Sequence, residues 1–130
     1  MRKARGGILI TILVIFMIIS LLITLLFSTI IYIQKRAILQ IRKIDSKLIA
    51  EAGIEECLFK LNTGQMYYHV YEENFGNGKY EIHFIEYEDI FSIESAGHVM
   101  NGTNIVSTYR AKVKGSIRNR RYIINEYERL

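Results

Sequence analysis

The sequence predicts an α+β fold: one long N-terminal helix, its first half apolar enough to cross a membrane, packed on an antiparallel sheet of four or five strands. Three observations carry this. Residues Ile8 to Ile33 run for 26 positions without a charge. Residues 34–62 are rich in good helix formers and contain no proline. From Gln65 onward, Tyr-, Val- and Ile-rich stretches alternate with polar residues and are punctuated by Asn-Gly pairs. The chain divides accordingly into a basic segment 1–7, an apolar helix 8–33, an amphipathic extension 34–62 and a β domain 65–130.

A bilayer core about 30 Å thick is spanned by roughly 20 apolar helical residues. At about 1.5 Å per residue, 26 residues reach about 39 Å. A cleaved secretory signal has an apolar core of only about 7–15 residues followed by a small-x-small site. The segment from Ile8 to Ile33 has neither property, so it reads as a retained membrane anchor.

The extension QKRAILQIRKIDSKLIAEAGIEECLFKLN carries two apolar stripes. On a helix of 100° per residue, Ala37, Ile41, Ile44, Leu48 and Ala52 fall in one stripe about 80° wide. Leu39, Ala50, Ile54, Cys57, Leu58 and Leu61 form a second, centred more than about 100° away. A change of face near residue 50 means a change of partner, with neighbouring helices below and a sheet above. Ile54, Cys57, Leu58 and Leu61 are the expected helix–sheet contacts. Asn62-Thr63-Gly64 is a stop signal. Anchor and extension together make one helix of about 55 residues, roughly 80 Å long.

Beyond Gly64, the expected strands are Gln65–Glu72, Lys79–Glu88, Ile90–Met100, Asn104–Lys114 and Arg121–Tyr127, with hairpin turns at Asn77-Gly78 and Asn101-Gly102 and a loop over Gly115–Asn119. Tyr80, Ile82 and Phe84 alternate with Glu81, His83 and Ile85. Tyr109, Ala111 and Val113 face inward, opposite Arg110, Lys112 and Lys114. Only the second stripe of the helix offers cover for the apolar side of such a sheet.

Charge excludes some functions. Three of the 17 basic residues (Arg2, Lys3, Arg5) precede the span, which leaves 14 against all 13 acids beyond it. A nucleic-acid-binding domain is usually far more lopsided. The single cysteine, Cys57, permits no internal disulfide and reads as a small buried hydrophobe. His69, His83 and His98 fall on separate predicted strands without metal-ligand spacing. Glu55 and Glu56 are adjacent and point about 100° apart on a helix, so they are not paired acids; Glu56 instead pairs with Lys60 at i,i+4. Glu51 and Glu55, also four apart, repel slightly and favour a basic neighbour. The loop Glu72–Gly78 reads as turn chemistry ahead of a calcium site, and Asn101-Gly102-Thr103 as a hairpin ahead of a glycosylation sequon. Ser92, Ser95 and Ser107 lack the context of a catalytic nucleophile. No catalytic residue, cofactor or metal site is expected. Arg110, Lys112, Lys114, Arg118, Arg120 and Arg121 place six positive charges within 12 residues with no acid among them. They read as a charged face that resists sheet-to-sheet pairing, with contact to DNA or an anionic cell-wall polymer as the alternative.

Three stretches together resemble minor type IV pilins of the X type, as in Gram-positive bacteria, and the related tip pseudopilins of type II secretion and competence systems. They are the opening MRKARGG directly before the apolar helix, LIAEAGIEECLFKL over Leu48–Leu61, and FSIESAGHV over Phe91–Val99 followed by a turn and the basic strand Val106–Lys114. The resemblance implies a pilin-like fold and a short basic leader removed by a membrane-embedded prepilin peptidase at Gly6, Gly7 and Ile8. It also implies an outward-facing C-terminal domain and, after assembly, a place in a surface filament. The partners implied are the membrane, other pilin subunits, the peptidase, and an assembly platform with its ATPase.

The positive-inside rule counted alone gives the opposite orientation. Lys35, Arg36, Arg42, Lys43 and Lys47 follow the span, against three basic residues before it. A departure from the family also bears on function. Major pilins begin with Phe after cleavage and carry a Glu four residues later. Cleavage after Gly6 leaves Gly7 first and Thr11 in the place of that Glu; cleavage after Gly7 leaves Ile8 and Ile12. A subunit without that carboxylate suits a filament tip or an initiating complex. The reading from a different class is a single-pass membrane protein, never processed, with a small sensor or scaffolding domain.

Overall fold

In a computed structural model, which describes residues 3–66 and 68–130 with side chains from Gly7 onward, the chain is one helix followed by a five-stranded antiparallel sheet. Helix α1 spans Lys3–Asn62. The strands are β1 (Val70–Phe75), β2 (Gly78–Tyr87), β3 (Ile90–Asn101), β4 (Asn104–Arg118) and β5 (Arg121–Arg129). They lie in the order β1-β2-β3-β4-β5, so every strand pairs with its neighbour in sequence. This is the α+β arrangement of one long N-terminal helix and an antiparallel sheet found in pilins. Two compact units divide the chain, Met1–Leu39 and Gln40–Leu130.

In the first unit, every apolar side chain from Ile8 to Ile33 is at least 47% exposed. The segment is long and apolar enough to cross a membrane, and none of it is buried among the described residues. The three threonine side chains here satisfy themselves within the helix. The hydroxyls of Thr11, Thr24 and Thr29 donate to the carbonyls of Gly7, Ser20 and Leu25, each at 2.9 Å. A hydroxyl bonded to the carbonyl one turn back leaves no unpaired donor to face lipid.

In the second unit, the last turns of α1 lie on the sheet. Ile49, Ala50, Ile54, Cys57 and Leu61 are buried against Tyr80, Ile82 and Phe84 of β2, Phe91, Ile93 and Val99 of β3, and Tyr109, Ala111 and Val113 of β4. The helix comes unusually near because glycines stand where backbones meet. A Cβ on Gly97 of β3 would collide with the Ser46 carbonyl oxygen and lie 2.5 Å from the Ala50 amide nitrogen. A Cβ on Gly53 would lie 2.9 Å from both the Ser95 hydroxyl and the Tyr80 ring. Ser46 completes the seam, buried, with its hydroxyl 3.1 Å from that of Ser107.

The helix stops at a Schellman motif. Gly64 takes φ 71°, the Gln65 N–H donates to the Lys60 carbonyl at 2.8 Å, and the Gly64 N–H to that of Leu61 at 3.3 Å.

Several boundaries differ from the sequence reading. The first strand starts at Val70, where β2 begins to supply partners (Val70↔His83), and runs on to Phe75; Tyr67 of the expected strand lies outside the described residues. His69 therefore precedes β1 and is not on a strand. The first hairpin turns on Gly76 (φ 58°) and Asn77, not on Asn77-Gly78. Gly78 is instead the first residue of β2, where a Cβ would meet the His98 carbonyl and the Ile49 side chain. The Asn101-Gly102 turn shifts likewise by one residue, with Asn101 pairing Asn104 across Gly102 (φ 64°) and Thr103. The expected loop Gly115–Asn119 is strand as far as Arg118. Gly115 sits at a β-bulge, where the Ile123 carbonyl and the Phe91 ring occupy the place of a side chain.

Candidate interaction surfaces

The first surface is the apolar helix from Ile8 to Ile33. Gly6, Gly7 and Ile8, the residues of the expected cleavage site, lie in the first turns of α1, and Met1 and Arg2 of the expected leader lie outside the described residues. A Cβ on Gly7 would meet nothing within 4 Å.

In the second unit, α1 shows two faces. Of the four expected sheet contacts, Ile54, Cys57 and Leu61 are in the core and Leu58 packs half-buried at its margin. Leu39, which shares their stripe, belongs to the first unit and is exposed. Ile49 and Ser46 take part in the seam without having been read from the helical wheel. The signal for them was available in Gly97 and Gly53, which allow a helix to sink towards the sheet. Ile41, Ile44 and Leu48 of the other stripe are 56–58% exposed, an apolar row with no partner among the described residues.

A polar cluster ties α1 to β1 and β2. The Tyr80 hydroxyl, on a ring that is wholly buried, donates to carboxylates of Glu56 and Glu73. Lys60 reaches Glu56 at 2.5 Å and Glu73 at 3.0 Å and lies over the Tyr71 ring at 4.6 Å. Burial pushes the Glu56 carboxyl up, but the hydrogen bonds from Lys60 and Tyr80 outweigh it and hold the group below its ordinary 4.5. Burial likewise opposes the charge on Lys60, and Glu56 and Glu73 outweigh it and raise the amine. Burial first, then these same carboxylates, keep the Tyr80 phenol protonated far into the alkaline range. Cys57, buried beside this cluster, is pushed up to about 11 by desolvation, so it is an inert thiol at neutral pH.

A pH dependence follows. A carboxyl titrating lower in the folded than in the unfolded state contributes stability that is present above its unfolded value and is lost as pH falls through the folded one. The melting temperature of the β domain should therefore fall as pH drops below about 4.5. Glu56→Gln should lower the plateau above that pH and flatten the acid limb, as followed by thermal melts from pH 7 to 3. An acid limb unchanged in slope in Glu56→Gln would assign the transition to other groups.

On the outer sheet face, the six basic residues do not form one field. Lys112 is ion-paired to Glu94 across β3, and Lys114 stands 3.9 Å from Glu126 and 3.6 Å from Glu128 of β5. Arg110 points from the same face of β4, and Arg118, Arg120 and Arg121 cluster at the β4–β5 turn. These four arginines make no ion pair among the described residues. His98 is buried, its Nδ1 2.9 Å from the Thr108 hydroxyl and its Nε2 3.6 Å from Glu81, while His69 stacks on Phe84. Glu72 is bonded to Lys79 at 2.7 Å within a regular hairpin. Among the described residues no group of three or more His, Cys, Asp or Glu is placed to hold a metal.

Comparison with protein-family models, with curated proteins and with solved structures gave no match.

Proposed function

We propose that this chain is a minor pilin or pseudopilin, a structural subunit of a type IV pilus-like filament, placed at the tip or in the complex that initiates assembly. The observation that carries the reading is helix α1 itself. One element supplies both an apolar stretch exposed along its whole length and the buried face of the sheet domain. The function is packing. Apolar surface solvated by lipid before assembly is exchanged for contact with the helices of other subunits, and the exposed row Ile41, Ile44 and Leu48 serves the same end. Thr11, bonded to its own helix at Gly7, brings no charge that a repeating shaft would have to neutralise, which supports a terminal position.

The prepilin peptidase acts on the leader at Gly6, Gly7 and Ile8. Two adjacent glycines each weaken a helix by about 1 kcal/mol relative to alanine, so α1 can open there to present an extended bond. The rival reading is an unprocessed single-pass membrane protein with a small extracytoplasmic sensor or scaffolding domain; the charge balance, with five basic residues after the span and three before, runs against an outward domain in both readings. Mass spectrometry of the full chain extracted from membranes, with and without a prepilin peptidase, separates the two. The expected result is loss of the first six or seven residues only when the peptidase is present, blocked by replacing Gly6 and Gly7. An intact N-terminus in both membranes rejects the pilin assignment.

A further inference from the structure

The outer face of the sheet changes character along its length. Near its middle, basic and acidic side chains cancel: Lys79 with Glu72 and Glu81, Lys112 with Glu94, and Lys114 beside Glu126 and Glu128. At the end next to the β2–β3 and β4–β5 turns this stops. One cross-strand row reads Tyr87↔Ile90↔Ser116↔Ile123, with Ile85 one row behind. Tyr87 is 73% exposed and Ile85 and Ile90 are each 61%. The next row is Arg118↔Arg121, with Arg120 in the turn between them, and no acid answers these three among the described residues. Contiguous exposed apolar side chains with a charged rim mark an interaction site.

The opposite side of the same unit carries the complementary surface. Between α1 and β5 runs a groove of about 240 Å³, floored by Ile54, Leu58, Ile124 and Tyr127 and rimmed by Glu51 and Glu55. Glu55 is exposed and has no ion pair among the described residues. The only ion pair of Glu51 among the described residues is with Lys47, at 3.6 Å, and its carboxylate also faces the Tyr127 hydroxyl of the groove. A mainly apolar groove with a carboxylate rim matches a mainly apolar row that is edged by arginines at its β4–β5 end, with Glu88 and Asp89 in the turn at its β2–β3 end. The two lie on opposite faces of the sheet and cannot meet within one chain.

We infer that the arginine-rimmed apolar row of one copy docks in the acid-rimmed groove of a second copy. The contact is heterologous, so a docked pair keeps one free groove on one copy and one free row on the other, and the heads associate head-to-tail. A polyanion fits the row less well. In the neighbouring rows Glu94, Glu126 and Glu128 already occupy Lys112 and Lys114, so no continuous positive field is left for a phosphate chain laid along the sheet. The inference goes beyond the filament reading and does not depend on it.

Sedimentation of the full-length protein in detergent, with micelles in excess over protein, tests it. The wild type should associate with increasing concentration, and less so at high salt, because the rim charges are exposed. Arg120→Glu and Glu55→Arg should each weaken association by about tenfold or more, and the two together on one chain should restore it. Ile90→Asp, at an exposed site where folding is untouched, should abolish it. A monomeric wild type overturns the inference. So does association that neither charge reversal alters, which would place it in the apolar helix, or a double variant that fails to recover. Salt-dependent binding of a short DNA duplex by a monomeric wild type, lost in Arg120→Glu, would give the row to a polyanion instead.

Discussion

Gly97→Ala should unseat the helix from the sheet. The added methyl has no empty space to enter, because its neighbours are the carbonyl of Ser46 and the backbone of Ala50. Side chains can rotate away from an intruder, but helix backbone cannot move without carrying Ile49, Cys57 and the rest of the seam with it. Overpacking costs about 1–3 kcal/mol where side chains can adjust, and here the cost belongs at the top of that range or above. Small domains hold only about 5–15 kcal/mol in total, and about 1 kcal/mol shifts the melting temperature of one this size by about 4–8 °C. Gly97→Ala should therefore melt more than about 12 °C below the wild type in the near-ultraviolet tyrosine signal, with the far-ultraviolet helix signal of the apolar segment largely kept. A shift of under about 3 °C would mean that the helix is not held at this distance.

Tyr80 should give the next largest effect, and two variants divide it. Its ring lies at the centre of the core and touches the position where Gly53 allows the helix to pass. Tyr80→Ala removes that volume and should cost about 3–5 kcal/mol. Tyr80→Phe keeps the volume and leaves Glu56 and Glu73 without a donor they share. That should cost about 1.5–3 kcal/mol, the usual range for a hydrogen bond to a charged group. If Tyr80→Phe melts with the wild type, Lys60 alone satisfies both carboxylates. Chemical denaturation of both variants, compared in one detergent, reads the two losses separately.

Much of the fold was legible because each element carries its own periodicity. The uncharged run Ile8–Ile33 admits only a lipid- or protein-covered helix, and the alternation Tyr80-Ile82-Phe84 and Tyr109-Ala111-Val113 gave the buried side of β2 and β4 directly. What failed was the glycines. Gly78, Gly102 and Gly115 are equally plausible as turn residues and as places where a backbone passes close, and sequence gives no account of what passes. Gly102 does take a positive φ, one step earlier in its turn than expected, whereas Gly78 and Gly115 make room for His98 and Ile123. The same blindness hid Ile49: the wheel placed it between stripes, and only the close seat at Gly97 brings it into the core. Of the interaction surfaces, the basic run was visible as charge. That two of its members are cancelled by Glu94, Glu126 and Glu128 depended on cross-strand register, which no spacing within one strand encodes.

The unbroken order β1-β2-β3-β4-β5, joined by two-residue turns at 76–77, 88–89, 102–103 and 119–120, bears on how the chain reaches its native state. Each pairing closes the shortest loop available, so little entropy is lost before contacts form and the topology is a fast one. The helix precedes every strand, so its docking side is already made when the first hairpin appears. A chain made from its N-terminus can thus zip up one hairpin at a time as it grows, with no need to wait for its last residues.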